Sequence, residues 1–297
     1  MLKKILLLVS SFFVFIPLVF SENIRVDVGG SIKVMPLRQY LYGVVGKEIE
    51  SNYPIEALKA QAVCARTNAL YYINIAREKG LPYDVKNSVF NQVYNKDDGD
   101  NINVINAVNS THGEILTYNN KIVEAFFCAS SGGCTDSAEN VWGPGDSYAI
   151  AVLDPYSKHG PYKKWTKIFS SSQISNILGV SSVKDIKVLK RDISGRIEII
   201  EIKTDSGITK TMSGNNFRLD FIYNNPGGIF IDSDTLPSTM FKVKKSGNNF
   251  IFSGKGYGHG VGMSQYGTKV MAEKGFDYKQ ILHYYFPLLK IIHINTY

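Results

Sequence analysis

Residues 39–72 read QYLYGVVGKEIESNYPIEALKAQAVCARTNALYY, and the spacing of their apolar side chains predicts two helices around a sharp break. In the first arm Leu37, Leu41 and Val44 recur at i, i+4 and i+7, and the next place on that line is taken by Glu48. A carboxylate closes an apolar stripe. Asn52-Tyr53-Pro54 interrupts the chain, with Pro54 expected as the first residue of a new helix, where its fixed φ suits and its missing N–H is not needed. The second helix aligns Leu58, Ala62, Ala65, Ala69, Ile73 and Ala76, mostly small side chains that let a neighbour pack closely. Its other face carries Lys59 and Arg66, two turns apart. Burial raises a carboxyl pKa and nearby cations lower it, so the helix pair can tune Glu48 as a proton donor. The plainer alternative is a helix-end carboxylate paired with a cation, and two solvated charges.

On the N-terminal side Ile24, Val26 and Val28 alternate, Gly29-Gly30 turns, and Ile32 and Val34 alternate again, which predicts a β-hairpin feeding the first helix. Past the second helix, residues 84–98 read as a polar connection. Asp100 is expected to cap a helix with Val104, Ile105 and Val108 facing inward, ending near Gly113. Strands are expected at 114–118 and 121–129, joined by Asn119-Asn120. Residues 165–252 are β-rich, with Ile186, Val188 and Ile197, Ile199 forming an expected hairpin with Ser194-Gly195 between them, a turn at Asp205-Ser206-Gly207, and a short helix at 215–220. A last helix is expected from Lys269.

The chain has 297 residues, enough for one large or two small domains, and its 44% hydrophobic and 20% charged content marks a folding sequence. The net charge of +7 stays positive without Lys3 and Lys4 and suits an acidic polymer such as wall glycan with acidic peptides, teichoic acid, nucleic acid or anionic lipid. No compact basic run or nucleic-acid module is present, so nucleic acid is not the expected partner. Residues 1–21 read as an export leader: Lys3-Lys4, an apolar run from Ile5 to Phe20, then Val19-Phe20-Ser21 before Glu22. The run is short of the ~20 residues a spanning helix needs, and both a cleaved signal peptide and an N-terminal membrane anchor stay open. Residues 22–297 then form the working domain, secreted or anchored on the extracytoplasmic face.

Two further stretches carry chemistry. Cys128-Ala-Ser-Ser-Gly-Gly-Cys134-Thr135 is rich in glycine and hydroxyls at a strand end, where backbone can approach a ligand. Three cysteines in an exported chain cannot all pair with each other, and Cys64, inside the helix series, reads as a small buried hydrophobe. Cys128 and Cys134 fit a short disulfide loop or two thiolate ligands of a structural zinc, with His112 and His159 as candidates for the missing ligands. Trp142 and Tyr148 offer rings on which the C–H faces of sugars stack, and equally fit a hydrophobic core. The second stretch, Gly254-Lys-Gly-Tyr-Gly-His259-Gly-Val-Gly-Met-Ser-Gln265-Tyr-Gly267, lacks the Gly-Lys-Ser/Thr ending of a P-loop and the strand context of a dinucleotide fingerprint, so no nucleotide is expected. His259 can orient substrate, assist proton movement, or pack structurally among the glycines.

These segments together resemble the SpoIID/LytB family, the stage II sporulation protein D and amidase-enhancer group. Tyr40-Leu41, Gly43-Val44-Val45, Glu48, Pro54 and Glu56 through Thr67 match its core signature. Ser88 and Gln92-Val93-Tyr94 resemble the patch that follows its long helix, and Ser130 to Thr135 with Val141-Trp142-Gly143 and Tyr148 resemble its second signature. Phe217-Arg218 and the segment from Leu236 to Phe241 continue the match, and the glycine stretch around His259 closes it. Ile49 stands where methionine usually follows the glutamate, and Cys64 where a small residue is usual. The resemblance implies an α+β fold, a β-rich mixed fold with a helical segment carrying Glu48 and a cleft between lobes. It also implies a catalytic Glu48, with Lys59, Arg66, Ser130, Ser131, Thr135, Trp142, Tyr148, His259 and Gln265 as substrate-binding residues. Some members with this cysteine pair carry zinc in the cleft.

The implied activity is lytic cleavage of the MurNAc–GlcNAc bond of peptidoglycan glycan strands, with no cofactor required. Hydrolytic glycosidases generally use two carboxylates, and in sequence one stands out; Asp154 and Glu50 read as turn or surface residues. One suffices for a transglycosylase, because Glu48 can protonate the leaving oxygen and then deprotonate the muramic C6 hydroxyl. The enhancer branch implies the alternative, a non-catalytic wall-binding protein that stimulates an N-acetylmuramoyl-L-alanine amidase, with a membrane partner as a further expectation.

Overall fold

A computed structural model describes residues 23–87, 93–224 and 235–295. The leader at 1–21 and the family-like Ser88 and Gln92 lie outside the described residues. The fold is α+β. Strands β1 (Asn23–Val28) and β2 (Ser31–Pro36) form the expected hairpin, turning on Gly29 (φ 62°) and Gly30 (φ 89°), both in the left-handed region that glycine enters without a Cβ clash. β3 (Val85–Lys86) joins β1 in parallel. Then come α1 (Leu37–Glu48) and α2 (Ile55–Glu78). Pro54 caps α2 from outside instead of starting it: its ψ of 145° is extended, and its carbonyl already accepts from the Leu58 N–H at 3.2 Å.

Helix α2 is buried on almost every side, where one apolar stripe was expected. Leu58, Ala62, Ala65, Ala69 and Ile73 share a core with Tyr40, Leu41 and Val44 of α1 and Ile24 and Val26 of β1. Ala60, Val63 and Cys64 share a second core with Val261, Met263 and Met271. The second face was hard to see in sequence because its residues are as small as those of the first. Arg66, expected beside the cleft or in solvent, is buried: it donates to Val108 O at 2.8 Å, Glu114 O at 3.1 Å and Thr111 Oγ1 at 3.3 Å. It satisfies carbonyls at the end of α3 (Ile102–Ser110), a helix capped by Asn101 in place of Asp100.

β4 (Glu114–Tyr118) and β5 (Lys121–Ile122) turn on Asn119 and Asn120, and β14 (Lys290–His293) completes the sheet order β14-β4-β5. The strand expected over 121–129 is interrupted. It resumes as β6 (Phe127–Cys128), paired in parallel with β13 (Met263–Ser264). Between them, the Ala125 backbone bonds to a side chain of α2 instead of to a strand. Short helix α4 (Ala138–Trp142) follows.

The second lobe holds two three-stranded sheets. β7 (Trp165–Ser170), β11 (Phe241–Ser246) and β12 (Asn249–Gly254) lie in the order β11-β12-β7. β8 (Val183–Arg191), β9 (Ile197–Thr204) and β10 (Thr209–Ser213) lie in the order β10-β9-β8. With α5 (Ser171–Leu178) and α6 (Gly214–Tyr223) they enclose a core of Phe169, Phe217, Phe221, Phe241, Phe250 and Phe252. α7 (Gln265–Glu273) starts before the expected Lys269 because Ser264 accepts from Gly267 N–H and caps it; α8 (Tyr278–Tyr285) follows. Among the described residues no helix is long and apolar enough to cross a membrane.

Arg66→Ala would strand the Val108 and Glu114 carbonyls around a new cavity. The expected cost is about 3 kcal/mol, read as a lower urea midpoint. An unchanged midpoint would contradict the bracing role.

Candidate active site

A pocket of about 530 Å³ is lined by Glu48, Asn68, Tyr72, Val93, Glu124, Phe126, Phe127, Trp142, Asp146 and His259. Glu48 is the last residue of α1, and three contacts fix that helix end. Gly43 and Gly46 leave a shallow seat on α1, in which a Cβ at Gly43 would meet the Tyr94 ring at 2.5 Å and one at Gly46 the Asp98 carbonyl at 1.9 Å. Segment 93–98 therefore lies directly on the helix, with Tyr94 stacked on Tyr40 at 5.5 Å, and the Val93 N–H donates to Glu48 Oε1 at 3.2 Å. From the other side Gln265 Nε2, at the start of α7, donates to the Glu48 main-chain carbonyl at 2.8 Å. Burial raises the Glu48 pKa, and the Val93 N–H and the Lys47 charge offset only part of that rise. The neighbouring cation is thus Lys47, not Lys59 or Arg66: Lys59 pairs with Glu56 at 2.7 Å and lies over the Tyr278 ring.

Glu124 is a second carboxyl in the pocket, absent from the sequence reading. Asn68 of α2 brackets Ala125, accepting from its N–H at 2.6 Å and donating to its carbonyl at 3.1 Å. One helical turn on, the Tyr72 hydroxyl donates to Glu124 Oε1, and Tyr148 donates to the Glu124 carbonyl at 3.0 Å. Burial raises the Glu124 pKa, the Tyr72 hydrogen bond lowers it and the Asp146 charge adds to the rise. The available signal was Asn68 and Tyr72 at i, i+4 in a helix otherwise made of small apolar residues.

One wall is aromatic. Trp142 is 47% exposed, and its ring lies 4.8 Å from Phe126 and 5.1 Å from His259, with Tyr148 buried behind Phe126. The indole face is open to a ligand. His259 accepts from the Val261 N–H at Nδ1, and burial together with the Arg218 and Arg196 charges pulls its pKa down to about 3. The imidazole is neutral at any physiological pH. Arg196 is itself buried, reaching from the turn before β9 to the Ser131 and Cys134 carbonyls at 2.6 and 2.7 Å, and a Cβ at Gly260 would strike its guanidinium at 2.3 Å. This arginine ties the second lobe to both glycine-rich stretches.

The structure does not bring Ser130, Ser131 or Thr135 to the pocket. Ser131 donates to Asp154 at 2.6 Å, and Ser157 also donates to that buried carboxylate; Thr135 exchanges hydrogen bonds with the Val152 backbone, and Ser130 is buried. Asp154 is accordingly the centre of a hydroxyl cluster, and Glu50 is exposed. Cys64, Cys128 and Cys134 are free thiols, and burial raises all three pKa values, Cys128 to about 12. Among the described residues no group of three or more His, Cys, Asp or Glu stands ready to hold a metal. Among the described residues neither His112 nor His159 joins Cys128 and Cys134 in such a group.

A family model described as stage II sporulation protein matches residues 28–118, the span from the hairpin turn through Glu48 to β4. A second, described as a domain of unknown function, matches residues 162–262. An uncharacterized protein of Brachyspira hyodysenteriae is 36% identical over 266 residues, covering 89% of this chain and 68% of that protein. Stage II sporulation protein D of Bacillus subtilis is 34% identical over 280 residues, covering 90% and 77%. The chain belongs to the stage II sporulation protein D family. It is also similar to the amidase enhancer of Bacillus subtilis, at 29% identity over 289 residues, 83% of this chain and 39% of that protein.

Two outcomes test this geometry. Gly46→Ala should push segment 93–98 off α1, remove the Val93 N–H from Glu48, change its solvation and so shift the Glu48 pKa, as followed by NMR titration; an unmoved pKa would refute the seat. A carboxyl with a raised folded pKa stabilises the fold fully below its ordinary 4.5 and loses that contribution as pH rises through the folded value. Glu124→Gln should therefore gain stability relative to the parent as pH rises above the ordinary carboxyl value of 4.5, and a pH-independent difference in melting temperature would count against it.

Proposed function

We propose that this protein is an exported peptidoglycan lytic transglycosylase acting on glycan strands outside the cytoplasm, with Glu48 as its acid and base. The observation that carries the reading is Glu48 itself: a carboxyl of raised pKa, lining a pocket with an open indole face. A raised pKa keeps the proton available closer to neutral pH, as a general acid requires. Glu48 gives that proton to the glycosidic oxygen as the bond from the muramic anomeric carbon breaks. The carboxylate then takes the proton of the C6 hydroxyl, whose oxygen bonds to the same anomeric carbon and closes a 1,6-anhydro ring. No water is consumed, and the intramolecular attack gains from proximity.

In this reading the other pocket residues bind. Trp142 stacks on a sugar face, and Glu124, Asp146 and neutral His259 meet hydroxyl and acetamido groups. Gln265 acts on α1 through the Glu48 carbonyl. The similarity to an amidase enhancer favours a second reading, in which the pocket binds wall glycan and the protein stimulates an N-acetylmuramoyl-L-alanine amidase.

Glu48→Gln keeps the shape and cannot move the proton. Strand cleavage should fall at least about 10²-fold while glycan binding persists. Full activity in the variant would sink the assignment to Glu48. If neither protein cleaves and both accelerate an added amidase, the enhancer reading stands instead.

A further inference from the structure

The lobe matched as a domain of unknown function contains a groove of about 620 Å³ that shares no lining residue with the Glu48 pocket. Lys163, Lys164, Arg191, Lys242 and Lys255 line it, and no Asp or Glu does. Among the described residues no carboxylate is paired with any of the four lysines, although exposed lysines of the neighbouring strands, Lys187, Lys190 and Lys203, each have one. Asp192, the acid nearest in the chain, turns Oδ1 inward to the Ser194 and Arg196 N–H groups. Asp192 offsets part of the Arg191 charge, and the four lysine charges have no ion-pair partner among the described residues.

The groove is also rigid. Trp165 donates through Nε1 to the Gly256 carbonyl at 3.0 Å, and its ring fits only because residue 254 is glycine, where a Cβ would lie 2.3 Å away. The indole is a fixed apolar wall. Arg191 donates to the Gly195 carbonyl at 2.9 Å and to Phe241 O at 2.6 Å, so both terminal nitrogens of its guanidinium are engaged. Arg191 therefore offers no fork for bidentate capture of a carboxylate or a phosphate, and the lysines act as point charges, a mode in which lysine commonly holds phosphate. The groove's volume of about 620 Å³ is enough for a short stretch of a single strand.

We propose that this groove binds the phosphate groups of an extended phosphodiester polymer, with Lys163, Lys164, Lys242 and Lys255 around the phosphates and Trp165 against the C–H groups of the linker. The site is independent of the reaction assigned to Glu48 and supplies a second, electrostatic attachment to a polyanionic matrix.

The test uses the full chain with Trp142→Phe, which leaves Trp165 as the one tryptophan, so that its emission reports on the groove. Synthetic poly(glycerol phosphate) should bind and shift that emission, and binding should weaken with added salt. Lys164→Glu with Lys242→Glu should weaken it at least about tenfold at low salt, the corresponding Gln pair should weaken it less, and Lys33→Glu, on β2, should leave it unchanged. Glu48→Gln should bind the polymer as the parent does, which separates this site from the proposed chemistry. Equal affinity for polyglutamate would overturn the phosphate assignment. Groove-dependent binding to phosphatidylglycerol vesicles in place of the polymer, or polymer binding indifferent to the Lys164 and Lys242 charges, would overturn the site.

Discussion

The Glu48 pocket depends on a helix thin enough to be buried on almost every side. Helix α2 presents alanine, cysteine and valine to two cores at once, and small side chains let strands and helices approach its axis from opposite directions. Its polar positions become structural posts. Thr67 accepts from the Leu116 N–H, Arg66 collects the carbonyls at the end of α3, Asn68 substitutes for a strand at Ala125, and Tyr72 holds Glu124. A bulkier residue at Ala60 or Ala65 would separate the layers and with them the walls of the pocket.

The same economy of volume recurs where loops meet. Gly43 and Gly46 admit segment 93–98 to α1, and Gly260 admits the Arg196 guanidinium. In each case the absent Cβ allows a polar group to reach its partner: the Val93 N–H reaches Glu48, and Arg196 reaches the Ser131 and Cys134 carbonyls. In the glycine stretch around His259, Gly260 thus serves close approach. The pocket gains from this a carboxyl that is partly desolvated, singly hydrogen-bonded among the described residues, and anchored through its own backbone to α7.

Much of this was legible in the chain. The hairpin, α1 ending at Glu48, the Asn-Asn turn and the hairpin of the second lobe follow from periodicity and turn residues, which are local properties. Less legible was what each charge faces. Lys59 and Arg66 sit at regular helical spacing, yet one pairs with Glu56 and the other is buried, because partners from residues 108–114 and 278 decide the outcome. The hydroxyls of Ser131 and Thr135 look like sugar ligands in a glycine-rich loop, but Asp154 and the Val152 backbone take them. Glu124 was hidden by its setting in an apparent strand, and only the Asn68 bracket, a contact across 57 residues, turns that segment toward the pocket.

The central claim is that Glu48 serves as both acid and base for an intramolecular attack, although Glu124 and Asp146 line the same pocket and a hydrolase would use a second carboxylate. Digestion of peptide-free glycan strands in water enriched in oxygen-18, followed by mass spectrometry of the new muramic ends, addresses it directly. The account expects 1,6-anhydro ends with no heavy oxygen, since the bridging atom is the sugar's own C6 oxygen. Reducing muramic ends carrying the heavy isotope would show that water attacks, and would transfer the second carboxylate role to Glu124 or Asp146.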